Sequence, residues 1–116
     1  MKTAIPMDEN KRDICPSFGR APYFLFTGEG EELIAENPAA QAQGGAGLQA
    51  AQFVVDNGAQ VIITPRCGQN AGDVLKEAGL RIYRSQGSSA RENLERFEKG
   101  ELEELTHFHQ GFHGIH

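Results

Sequence analysis

Residues 61–84, VIITPRCGQNAGDVLKEAGLRIYR, decide the fold. Val61-Ile62-Ile63 is a continuous β-branched run, the pattern of a strand buried on both faces. Ala71, Val74, Leu75 and Ala78 then recur at helical spacing, and Gly79 stops the helix. Arg81-Ile82-Tyr83-Arg84 is a second short strand. A strand, a helix and a strand joined this tightly form a parallel pair with a right-handed crossover. The domain is therefore α/β.

Working outward, Leu48, Ala51, Val54 and Val55 predict a helix from Gly47 that Asn57-Gly58 closes. Downstream, Ser89 and Glu92 form a capping box. Ala90, Leu94 and Phe97 give the next helix one apolar face, and Gly100 ends it. Upstream, Thr3–Met7 reads as a strand containing Pro6. Tyr23–Thr27 and Leu33–Glu36 read as two more strands, joined by Gly28-Glu29-Gly30 as an antiparallel hairpin. The expected order is β-β-β-α-β-α-β-α in a single domain with a mixed five-stranded sheet and flanking helices. The domain spans residues 1–100, followed by an acidic and then histidine-rich tail over 101–116.

At 116 residues the chain holds one core, and no apolar run approaches the roughly 18 residues of a membrane span. The start MKTAIPMDEN lacks the apolar centre of a secretory signal, and two cysteines make no disulfide framework. The expectation is a cytoplasmic protein with reduced thiols and no membrane association. A net charge of -5 argues against nucleic-acid binding. The charge is uneven: residues 28–36 carry four acids and no base, and residues 92–104 carry six acids against two bases. What remains is mildly basic, which suits a small anion.

If the strand at 61–64 pairs parallel to the first strand, four connections emerge at one end of the sheet: residues 8–21, 37–47, 65–70 and 85–89. In open α/β sheets that end binds ligands. Three of these connections run into helix N-termini through Gly44-Gly45-Ala46-Gly47, Gly68-Gln69-Asn70 and Gly87-Ser88-Ser89. Helix N-termini offer unpaired N–H groups and a partial positive charge, and glycine lets the backbone approach a ligand. Arg20 and Arg66 lie in the first and third connections, and Arg84 ends the last strand. Together these make either a compact anion site or a set of tight turns flanked by solvated arginines.

Both cysteines fall in the same loops. Thiolates ligate soft metals, and an arginine or helix N-terminus nearby would lower their pKa. Cys67, just before a helix, is the stronger metal-ligand candidate and Cys15 the weaker. The alternative is that both are ordinary packing residues. Cys15 and Arg20 are separated by four residues, one fewer than in the C-x5-R loop of phosphatases. A small thiol- or phosphate-dependent enzyme using Cys15 is therefore an alternative, as is a metal-dependent nuclease built on Asp8, Asp56 and Asp73. No nucleophile–base pair is visible, and the reading is non-enzymatic. All four histidines lie in the tail, with His107 and His109 as candidate metal ligands. The alternative there is an extension with adventitious metal affinity.

FGRAPYF, ENPAA, GAGLQAAQFVVDNGAQVII and GQNAGDVLKEAGLRIYR, in that order, resemble the dinitrogenase iron–molybdenum cofactor-binding family, which includes NifX-like proteins. The resemblance covers residues 2–100. It implies a ribonuclease H-like fold and a non-catalytic role in binding, carrying or protecting molybdenum- or iron-containing sulfide clusters. Similarity to the acidic stand-alone members implies a molybdenum–copper sulfide cluster held without covalent attachment. An iron–molybdenum-type cluster is the other cofactor it implies. A partner protein in cofactor assembly or cell division, met through the acidic surfaces, is the alternative role. By the same resemblance the binding loops contain Ser17, Phe18, Gly19 and Arg20, then Gly45 and Gly47, then Gly68 and Asn70. Arg66 and Ser88 join them from the loop reading. Ser17 stands where many members have histidine, and Pro65-Arg66-Cys67 before GQNA is less typical of the family and gives this chain a thiol of its own.

Overall fold

A computed structural model describes residues 1–108. Its elements are β1 (Thr3–Met7), β2 (Tyr23–Gly28), β3 (Glu31–Glu36), α1 (Ala46–Asp56), β4 (Val61–Thr64), α2 (Gln69–Glu77), β5 (Arg81–Arg84) and α3 (Ala90–Glu98), with a single 3₁₀ turn at Pro38–Gln41. The sheet order is β3-β2-β1-β4-β5, the mixed five-stranded arrangement expected. β1, β2 and β3 form an antiparallel meander, while β4 lies parallel to β1 and β5 parallel to β4. The β2–β3 turn has positive φ at both Glu29 and Gly30 (54° and 83°), which matches the twist of the hairpin strands.

Strand alternation divides the core. Ala4, Phe24, Phe26, Ile62 and Ile82 face α1 and α2, whereas Ile5, Met7, Leu25, Val61 and Ile63 face α3. β1 and β4 are buried at every position, which explains the apolar runs Ala4–Met7 and Val61–Ile63. α1 meets the sheet through Ala46, Ala50, Ala51 and Val54, and such small residues let helix and sheet approach closely. Leu48, expected on that buried face, is instead 44% exposed beside the N-terminus of α1. The stripe is set by the alanines, which hydrophobic spacing weights less than leucine. β3 begins two residues earlier than expected, because Glu31 and Glu32 lie on an edge strand where solvent accommodates charge.

Residues after α3 fold back along β5. Leu105 N–H donates to the Ile82 carbonyl at 2.7 Å, and Arg84 N–H donates to the Glu103 carbonyl at 2.8 Å. Leu102 and Leu105 are buried within the chain. Phe108 then covers Gly72 of α2, where a Cβ would come within 2.7 Å of the ring.

The connection after β5 is held by a buried side chain that reads as ordinary surface in the sequence. Asn93 of α3 accepts from Gln86 N–H at 2.7 Å and donates to the carbonyls of Gln86 and Ser89, each at 2.8 Å. It falls on the apolar stripe of α3 between Ala90 and Leu94. Removing its amide strands the N–H and carbonyl of Gln86, while the Ser89 carbonyl keeps the Asn93 backbone N–H; leaving such groups unpaired costs about 1–3 kcal/mol. Asn93→Ala should lower the urea midpoint accordingly, with the denaturant slope unchanged.

Candidate functional site

The C-terminal ends of β1, β4 and β5 lie at one pole of the sheet, together with the end of β3. The chain leaves β1 toward β2 on one side and leaves β4 toward β5 on the other. A crevice at such a divergence is where open α/β sheets accept ligands. The four connections also touch. Ile14 N–H donates to the Ser88 carbonyl, Ala90 N–H to Arg12, and Ser85 N–H to Thr64. Arg20 Nη1 reaches the Ala42 carbonyl at 2.6 Å.

Asn37 locks two of these connections together. Its Oδ1 accepts from Ala39 N–H at 3.0 Å, which starts the 3₁₀ turn. Its Nδ2 donates to Gly19 and Ala21 carbonyls at 3.0 and 2.9 Å. The Asn37-Pro38 pair was the available signal, since asparagine before proline commonly caps a turn. With the loop so held, Gly19 lies directly against the start of α1. A Cβ on Gly19 would sit 2.8 Å from Gly47 N and 3.0 Å from Gly47 Cα. Gly47 in turn faces Ala71 of α2, its own would-be Cβ 3.5 Å from the Ala71 Cβ. The FGR segment, the first turn of α1 and the first turn of α2 therefore form one surface.

The helix starts are not alike. α1 begins at Gly45 in the left-handed conformation (φ 70°), and α2 begins at Gly68; neither has a side-chain cap or an acid in its first turn. The N–H groups of Ala46, Gly47, Leu48, Gln69, Asn70 and Ala71 have no partner among the described residues. In α3, by contrast, Ser89 Oγ accepts from Glu92 N–H at 3.1 Å and Arg12 takes the Ala90 N–H. The Ser88 carbonyl is occupied by Ile14. Of the three helix starts expected from the glycine-rich loops, α1 and α2 present open donors and α3 is largely satisfied.

Ser17, Arg20 and Arg66 are exposed at this pole, whereas Phe18 is buried with its ring 5.3 Å from Phe24. Thr64 Oγ1 donates to the Arg66 carbonyl at 3.0 Å and shapes the turn that carries the Arg66 guanidinium. Arg84 is paired with Glu103 at 3.2 Å. Ser85 Oγ, at the end of β5, is buried without a partner among the described residues. His107 lies outside this pole's connections, and His109 is beyond the described residues.

The thiols differ from expectation. Cys67 is 1% exposed and packs in the core with Ala71 and Leu75. Burial pushes its pKa up from 9.0 to about 12. Burial also raises Cys15; a hydrogen bond from the Ser17 backbone opposes the shift, and the neighbouring Asp8 carboxylate adds to it. The lowering expected from arginine and helix dipole is not found; desolvation sets the direction for both thiols. Both are neutral thiols at pH 7. Among the described residues no three His, Cys, Asp or Glu side chains form a metal-ligand group.

The family model for the dinitrogenase iron-molybdenum cofactor matches residues 1–100. The chain belongs to this family. Uncharacterized protein MJ0580 of Methanocaldococcus jannaschii is 32% identical over 111 residues, covering 90% of this chain and 92% of the relative. Among solved structures, a NifB candidate from Thermotoga, placed in the DUF35 family, is 34% identical with a TM-score of 0.77. The match covers 94% of this chain and 97% of that one. The apo form of the orange protein from Desulfovibrio gigas has a TM-score of 0.82 at 27% identity, over 90% and 92% of the two chains. Among the described residues no helix is long and apolar enough to cross a membrane.

Two predictions follow from this geometry. Gly19→Ala forces a Cβ into the backbone of Gly47, and overpacking of this kind costs about 1–3 kcal/mol; thermal unfolding should register the loss. The raised Cys67 pKa means that the native state holds its proton more tightly than the unfolded chain. Its contribution to stability is complete below about pH 9 and lost as pH rises toward 12. Denaturation curves across that interval should fall more steeply for the natural protein than for Cys67→Ala.

Proposed function

We propose that the chain binds an anionic metal–sulfide cluster as cargo, without covalent attachment and without catalysing a reaction. The observation that carries this reading is the pair of adjacent, uncapped helix starts of α1 and α2, walled by the FGR segment. Six N–H groups unpartnered among the described residues and two partial positive dipoles favour a compact anion over a cation. Arg20 and Arg66 supply full charge beside them. Gly45, Gly47 and Gly68 keep the backbone accessible, and Asn70 and Ser17 offer polar side chains at the rim. The donor set fits a thiometallate, whose sulfide periphery accepts many weak N–H hydrogen bonds. Neutral Cys15 and Cys67 leave the metal's coordination to the sulfides of the cargo.

A molybdenum–copper sulfide cluster is the specific cargo we propose, supported by the likeness to the orange protein and by the absence of a protein-derived ligand trio among the described residues. An iron–molybdenum-type cluster is the second reading, with the chain acting as a carrier or accessory protein in cofactor assembly. Membership of a family named for the iron-molybdenum cofactor, and the NifB candidate among its structural relatives, favour that reading. We place the protein in the cytoplasm, where thiols stay reduced. Residues 1–100 are the binding domain, and the histidines of the tail, His107 and His109 included, are an accessory metal site.

Anaerobic reconstitution with tetrathiomolybdate, with and without copper(I), followed by desalting and metal analysis, tests the cargo. Retained molybdenum and copper near two to one, with a visible spectrum distinct from free thiomolybdate, is the expected result. Arg66→Glu should reduce retention about tenfold or more, since a charge-assisted hydrogen bond contributes about 1.5–3 kcal/mol. Arg66 is the cleaner probe than Arg20, whose guanidinium also supports Ala42. Retention unchanged in Arg66→Glu and in Arg20→Gln would sink the site.

A further inference from the structure

The two edges of the sheet are treated differently. The β5 edge is covered by residues 103–105 through backbone hydrogen bonds. The β3 edge pairs only with β2 and is open among the described residues. Its six residues run in regular register without bulge or proline, and the charges of Glu31, Glu32 and Glu36 are its protection. At its centre two large apolar side chains are exposed on opposite faces, Leu33 at 58% and Ile34 at 39%.

The register shows which backbone groups are free. Asn37 N–H donates to the Pro22 carbonyl at 3.1 Å. Hydrogen-bonded pairs alternate along an antiparallel ladder, so Ala35, Leu33 and Glu31 turn their amides toward β2. Glu32, Ile34 and Glu36 therefore point theirs outward. Three glutamates and no base lie in the strand, and only Glu32 has an ion-pair partner among the described residues, Arg91 at 3.4 Å. Glu31 stands on one face, near one end, and Glu36 on the other face, at the other end.

We propose that β3 is a docking edge for an extended segment of a partner protein, one with a β-branched centre flanked by lysine or arginine at both ends. The added strand would bond the amides of Glu32, Ile34 and Glu36 and lay its apolar centre beside Leu33 and Ile34, with its basic ends against Glu31 and Glu36. A second copy of this chain fits badly. Antiparallel self-pairing centred on Ile34 brings Glu32 of each copy opposite Glu36 of the other, and like charges opposed across strands repel. The inference gives the carrier reading a surface, yet holds whether or not the cargo binds. Loss of cluster retention would not touch it, and loss of docking would not touch the cluster site.

The test uses the full chain and two labelled peptides, Lys-Lys-Val-Ile-Val-Lys-Lys and Glu-Glu-Val-Ile-Val-Glu-Glu, followed by fluorescence anisotropy. The lysine peptide should bind at least tenfold more tightly, and Glu36→Lys should erase that preference. Ile34→Pro removes an outward N–H that β2 does not use, so the fold should survive while binding falls at least tenfold. Hydrogen exchange at Glu32, Ile34 and Glu36 should slow when the lysine peptide is present. Equal affinity for both peptides, or binding unaffected by Ile34→Pro in a variant that still unfolds cooperatively, would overturn the proposal. So would a dimer in sedimentation that Ile34→Pro dissociates, since the edge would then belong to a second copy.

Discussion

The backbone of Gly19 rests on the backbone of Gly47 with no room for a single carbon between them. The candidate site depends on that contact. It brings the segment after β1 onto the first turn of α1, and the same turn packs against α2 through Gly47 and Ala71. Asn37 holds the contact from behind by taking hold of the Gly19 and Ala21 carbonyls. An anion surface made of backbone N–H groups is only as well defined as the backbone that carries them. Here that backbone is fixed by close packing and by a buried amide, so the donors are in place before any ligand arrives.

The architecture was legible because the local signals agreed with one another. A β-branched run at 61–63, a glycine-ended helix and a second strand left one sensible connection, and the paired glycines at 28 and 30 left one sensible hairpin. Ser89 was readable as a cap, and the structure shows its hydroxyl taking the Glu92 N–H. Leu48 was misread because spacing alone does not distinguish a helix that meets its sheet through alanines from one that meets it through leucine. The start of β3 was late by two residues because glutamates are poor strand formers except where an edge leaves them in water.

The site was legible in outline and not in its distinctions. Glycines and helix starts pointed to one pole, where the fold does gather them, yet nothing in the sequence separated the two open helix starts from the satisfied one. That difference arises from Arg12 and Ile14, which reach the α3 region through tertiary structure. The thiols illustrate the same limit. Proximity to arginine and to a helix suggested ionised sulfur, but desolvation is a property of the packed core and cannot be read from neighbours along the chain. Asn37 and Asn93 do the holding at three of the four connections, and each left only a faint mark: one before a proline, one on an apolar stripe.

The burial of Cys67 has a consequence for the protein's life in air. Peroxide attacks the thiolate, and a thiol with a pKa of about 12 is ionised at pH 7 in roughly one molecule per 10⁵. The core sulfur is thus protected twice, by exclusion of the oxidant and by its own retained proton.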